Sequence, residues 1–250
     1  MNDQKDLPLY DTTGKMVYGH EPWLEMVESH CHAGAKAELL VKWGHNMQSE
    51  GLCNKDSLTA MAVTPAGETA ILAVEAGFSD YYVLHAPIPT NGYYHVLVQH
   101  TGDYVLDKEY QYYQGTRREY PEAAHATHYI QYAQYFVRVG HDLESKPRLA
   151  GLQLEIAPAA WGPWRAGDKL AFAILFRGNR EPDAVLDVTY ANGVDYKQWK
   201  KIGGIDGRII LQPQDPGRYL VVARREVQEC QDGVYDSLSL TTTLSFMVLK

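Results

Sequence analysis

The sequence predicts an all-β fold built as two tandem β-sandwiches. Three observations point to it. Short alternating or apolar segments recur along the 250 residues. Turn-forming residues cut them about every ten positions. The order of turns and strands also occurs twice, once in each half of the chain. Hydrophobic residues make up 45% and charged residues 22%, enough apolar content to fill a folded core, so a disordered chain is excluded.

Taken in order, Ala37–Trp43 alternates as a half-buried strand does, and Pro65-Ala66-Gly67 marks a turn. Asn91-Gly92 favours a hairpin because both residues tolerate positive φ, and Tyr94–Gln99 follows it as a strand. The polar, tyrosine-rich stretch from Asp107 to Pro121 reads as a long excursion. Glu122–Val137 has no Gly or Pro and is rich in Ala, Gln and His. Its Tyr129, Tyr132 and Phe136 fall on one helical stripe, which predicts a short helix. A polar stretch, Ser145-Lys146-Pro147-Arg148, then divides the chain into domains of residues 1–148 and 149–250. In the second half, Ala171–Phe176, Val185–Tyr190, Arg208–Leu211 and Tyr219–Ala223 read as strands. Turns at Asn192-Gly193, Asp206-Gly207 and Pro216-Gly217 separate them.

Charge and targeting narrow the function. A net charge of −8 argues against nucleic acid as a partner, since that needs a basic face. The longest apolar run, Leu170–Phe176, is far short of the ~20 residues of a membrane span, so no membrane insertion is expected. Met1–Asp6 is polar and lacks the layout of a secretory signal. Cys31, Cys53 and Cys230 are too few for a disulfide scaffold. No G-x-S-x-G elbow and no glycine-rich phosphate loop occurs, so no enzyme is expected.

Ten histidines, against three cysteines, carry the remaining signal, and all ten precede residue 149. His30 and His32 flank Cys31; on a strand they share one face, at a spacing that suits one transition-metal ion. An antiparallel pairing would bring His20, which opens one strand, beside His45, which ends the next. His125 and His128 would share a face of the expected helix. The expected ligands are therefore His20, His30, His32, His45, His125 and His128, for Ni²⁺, Co²⁺ or Zn²⁺. The alternative is a glycan- or peptide-binding module using Tyr110, Tyr112, Tyr113 and Tyr120, because tyrosine joins apolar contact to a hydroxyl.

Motifs in a fixed order carry a resemblance. Gly167-Asp168-Lys169-Leu170, Asp206-Gly207-Arg208-Ile209 and Pro216-Gly217-Arg218-Tyr219 resemble the grammar of transthyretin-like, Ig-like sandwiches. Over residues 17–250 the chain resembles a family of bacterial extracytoplasmic proteins associated with nickel and cobalt transporters. The matching segments are His20-Glu21-Pro22-Trp23-Leu24-Glu25, Ala33-Gly34-Ala35-Lys36, Gly44-His45 and Gly102-Asp103-Tyr104-Val105. Val137-Arg138-Val139-Gly140, Gly151–Pro158 and Ser237–Phe246 complete the series. The resemblance implies a periplasmic metal-uptake accessory protein whose partner is a membrane metal transporter. It points to His20 and His45 as functional positions.

Overall fold

The protein is described by a computed structural model over residues 20–28, 30–141, 146–159, 162–191 and 196–250, with residues 196–200 by backbone alone. Met1–Asp6, Ser29, Ser145 and the turn expected at Asn192-Gly193 lie outside the described residues.

The described chain is all-β and sandwich-like. The first strands are β1 (Glu21–Met26), β2 (Ala35–His45), β3 (Gln48–Ser49), β4 (Leu58–Val63), β5 (Thr69–Leu72) and β6 (Glu75–Ala76). Next come β7 (Tyr82–Ile88), β8 (Gly92–Leu106), β9 (Tyr112–Gln114), β10 (His125–Val139), β11 (Leu154–Pro158), β12 (Trp164–Arg165) and β13 (Leu170–Phe176). The last are β14 (Asn179–Arg180), β15 (Val185–Ala191), β16 (Tyr196–Gly203), β17 (Arg208–Leu211), β18 (Gly217–Val227) and β19 (Ser237–Leu249). One large sheet runs β16-β15-β18-β19-β10-β8-β4-β5. A sheet of β1, β2, β7 and β6 and another of β11, β13 and β14 complete the frame.

The helix expected over Glu122–Val137 is not formed; most of that stretch is β10. Antiparallel β8 on one side and parallel β19 on the other satisfy its backbone. Its side chains serve two cores by simple alternation. Ala133, Val137 and Val139 pack with Leu39, Val41 and Leu84, while Ile130 and Tyr132 pack with Phe172, Ile174 and Leu240. Burial on both faces favours a strand over the helical preference of its Ala and Gln residues. The tyrosine-rich excursion also contributes a short strand, β9, paired to β8.

The expected division at residue 148 falls between β10 and β11. One apolar core lies wholly before it, while the other joins Leu97, Ile130 and Tyr132 to residues of the second half. The large sheet also crosses it, through the pairing of β10 with β19. The strand β1 spans the same divide. Trp23 is fully buried and packs with Met47, Ala191, Leu220 and Val222. On either side of it, Glu25 pairs with Arg218 at 2.6 Å and Glu21 with Arg224 at 2.7 Å. Pro22 suits this edge strand, having no N–H to leave unpaired. The outward carbonyls of β1 are capped from the large sheet: Gln131 donates to His20 and Thr243 to Pro22, at 2.8 and 2.7 Å, and Ser245 donates to Leu24.

Candidate metal centre

The register Glu21↔Gly44 places His20 across from His45 at one end of the β1–β2 pair. Beyond His45 the chain reverses through Asn46 and Met47, both at positive φ, and returns with His45↔Gln48 and Gly44↔Ser49 paired. Two consecutive left-handed residues make a hairpin turn that suits strand twist. Methionine is an unusual occupant, and burial explains it: Met47 is 2% exposed beside Trp23, Leu220 and Val222. The Asn46 N–H donates to the Glu21 carboxylate at 3.1 Å. The reversal brings Glu50 back beside Trp43, to which its N–H donates at 2.9 Å.

Three side chains therefore converge. His20 Nε2 lies 2.9 Å from Glu50 Oε2, and His45 Nδ1 lies 3.2 Å from Glu50 Oε1. The two imidazole centroids are 4.1 Å apart. Among the described residues, one ligand atom from each of His20, His45 and Glu50 lies within 4.8 Å of the other two. Tetrahedral Zn²⁺ with bonds of about 2.1 Å spaces its ligand atoms by roughly 3.4 Å, so small side-chain shifts would close the set on an ion.

The electrostatics suit a cation. Burial holds the His20 imidazole below its usual pKa, with Glu50 opposing in part. It is therefore neutral near pH 7 and carries a lone pair. Burial also acts to raise the Glu50 carboxyl, but the hydrogen bonds from His20 and His45 outweigh it and keep the group below its usual value. The other ring nitrogen of His20, Nδ1, is buried without a hydrogen-bond partner. Hydrogen-bond satisfaction of the core therefore does not account for this ring. Beside the site opens a polar cavity of about 330 Å³, lined in part by Gln131, Asp187, Thr189, Lys201 and Glu226.

The other expected ligands lie elsewhere. His30 and His32 are exposed on either side of buried Cys31, and their rings meet each other and His141. His125 and His128 do not share a face, because they are three apart on a strand, not on a helix. His125 bonds Ser237 at 2.8 Å, and His128 bonds Asp103 at 2.7 Å. Tyr110 is an exposed turn residue at positive φ, Tyr112 lies in β9, and Tyr113 stacks on Tyr120 with centroids 6.0 Å apart.

Sequence reasoning missed Glu50. The signal was present in its spacing, because a two-residue turn after His45 returns position 50 to the same sheet face. The turn went unread because Asn-Met, unlike Asn-Gly, is not a hairpin dipeptide. Gly44 is also part of the site. At φ 155°, a Cβ there would fall 2.0 Å from the Gln48 carbonyl oxygen and 2.9 Å from the Glu50 nitrogen. Gly44→Ala should open the hairpin, separate Glu50 from His45 and destabilise the fold by more than ~1 kcal/mol. Urea unfolding that matches the parent protein would refute this geometry.

A sequence model of the family described as Domain of unknown function (DUF4198) matches residues 17–227. No match was found among curated proteins. Among solved structures, the chain is similar to a DUF4785 family protein from Legionella pneumophila, at 9% identity and a TM-score of 0.30. That likeness covers 80% of this chain and 51% of the other, so the chain spans about half of it. It is also similar to the D00-D0 domain of intimin (8% identity, TM-score 0.22, 92% of this chain and 100% of that one). A marsupial T cell receptor follows at 12% identity and a TM-score of 0.23, over 87% of this chain and 72% of the other. At these TM-scores the likenesses carry no argument about fold or function.

Proposed function

The chain belongs to the family described as Domain of unknown function (DUF4198), a description that assigns no chemistry, and from its own residues we propose that it binds a divalent transition-metal ion, Ni²⁺, Co²⁺ or Zn²⁺. The observation that carries this reading is the convergence of His20, His45 and Glu50, with their ligand atoms within 4.8 Å of one another. Two imidazoles and one carboxylate suit such ions. They leave a coordination position for water or a small ligand on the side of the polar cavity. The sequence resemblance to nickel- and cobalt-transporter-associated proteins supports a periplasmic accessory role in metal uptake, with a membrane transporter as partner. Among the described residues no helix is long and apolar enough to cross a membrane.

Calorimetry with Ni²⁺ and Zn²⁺ on tag-free protein tests the site. His20→Ala/His45→Ala should remove one equivalent of binding, and Glu50→Gln should weaken that equivalent by at least ~10-fold. Binding should also weaken below about pH 6, where protons compete for the imidazoles. An unchanged stoichiometry in the double variant would refute the assignment. A second reading, glycan or peptide binding, is supported by the exposed Tyr113–Tyr120 stack. It is the weaker one, because Asp107 already engages the Tyr113 hydroxyl.

A further inference from the structure

We propose that His30, His32 and His141 form a second metal site, at the opposite end of β1 from His20, His45 and Glu50, that takes a late divalent ion such as Ni²⁺ or Cu²⁺ through nitrogen alone. Its backbone is held in register. Cys31 bridges Val139 in parallel, and the Gly140 N–H donates to the Cys31 carbonyl at 3.2 Å. Cys31 turns inward, 2% exposed among Ala37, Leu39 and Val139. Burial raises its thiol pKa, which argues against a thiolate ligand. Alternation then points both flanking histidines to solvent. His141, two residues past the bridge partner Val139, is exposed beside them.

The three rings surround a point that suits an ion. The centroids of His30 and His32 are 4.5 Å apart, those of His30 and His141 4.7 Å, and those of His32 and His141 6.3 Å. A metal bonded at about 2.1 Å to a ring nitrogen sits roughly 3.2 Å from that ring's centroid. The point equidistant from these three centroids also lies about 3.2 Å from each, by the geometry of that triangle. In the present rotamers the rings stack or meet edge to face, so rotation about χ2 must bring the nitrogens to the shared point. Exposed imidazoles make that turn readily. His30 is held below its usual pKa, first by desolvation and then by His32, His141 and Arg138; a neutral ring is the metal-binding form. A set of three imidazoles selects the late transition ions over Ca²⁺ or Mg²⁺. About 20 Å of strand separates the two clusters, so they titrate as separate sites.

The test is Ni²⁺ calorimetry on the full tag-free chain, with Cu²⁺ electron paramagnetic resonance to count bound nitrogens. The parent protein is expected to take two equivalents. His30→Ala/His32→Ala should abolish one of them, His141→Ala should weaken the same one at least ~10-fold, and the other should persist. The three positions are exposed, and matching urea unfolding curves will show that the variants fold. A second equivalent that survives His30→Ala/His32→Ala, or one indifferent to His141→Ala, overturns the proposal. So does a single equivalent lost only with His20→Ala/His45→Ala, which would leave the first site standing. A single equivalent lost only with the His30, His32 and His141 variants would instead sink the first site and support this one.

Discussion

Moving from pH 7 to pH 5, two buried histidines should together take about 4 kcal/mol from the unfolding free energy, roughly 2 each. His95 and His100 are 0% and 2% exposed. Burial pulls their imidazoles down to about 3 and about 4 respectively, with the amides of Gln134 and Gln131 opposing only in part. An unfolded histidine takes up a proton near pH 6.5, while these two remain neutral when folded. Between pH 6.5 and about 4 the unfolded state therefore binds more protons, and stability falls as the pH falls. Glu21 and Glu155, both raised by burial from 4.5, take up protons in the folded state above that pH and oppose part of the loss. Urea unfolding at the two pH values measures it, and His100→Gln should remove about 2 kcal/mol of the difference. The Gln131 amide fixes the tautomer: its nitrogen donates to the His20 carbonyl at 2.8 Å, so its oxygen accepts from His100 Nδ1 at 3.0 Å. An identical pH dependence in His100→Gln would refute the assignment.

Trp23→Ala should destabilise the protein by about 3–5 kcal/mol. The side chain is fully buried in a small cluster that joins the two halves. Its removal leaves a cavity over Leu220 and Val222 and takes the indole N–H away from Glu25, to which it donates at 2.9 Å. Trp23→Phe, which keeps most of the apolar surface, should cost about 1.5–3 kcal/mol through the lost bond to a charged acceptor. Since Met47 rests on the same cluster, Trp23→Ala should also weaken metal binding at His20, His45 and Glu50. A midpoint shift worth less than ~1 kcal/mol would show that β1 is held by its ion pairs instead.

The all-β class was legible because most strands announce themselves by local pattern. Ala37–Trp43 alternates and lies within β2, and the turn at Asp206-Gly207 has both residues at positive φ. The strand β10 was not legible. Both of its faces are buried, so no polar alternation marks it, and its aromatic spacing happens to fit a helix as well. That error misplaced His125 and His128. The candidate site was half legible: His20 and His45 stand out by type, whereas Glu50 reaches them only through a turn whose methionine is stabilised by burial against distant residues. His141 was hidden for a similar reason, since only the pairing of Cys31 with Val139 brings it to His30 and His32.

The union of β10 with β19 bears on how the chain reaches this structure. Partners such as Gln134 and Leu244 are more than a hundred positions apart, so closing the contact carries a large loop entropy and places it late and slow in assembly. Until it forms, β10 presents an unpaired edge rich in tyrosine, alanine and valine, open to strand exchange with a neighbouring molecule. The polar run along β19, Thr241, Thr242, Thr243 and Ser245, lowers the risk that this strand pairs with itself in the interval.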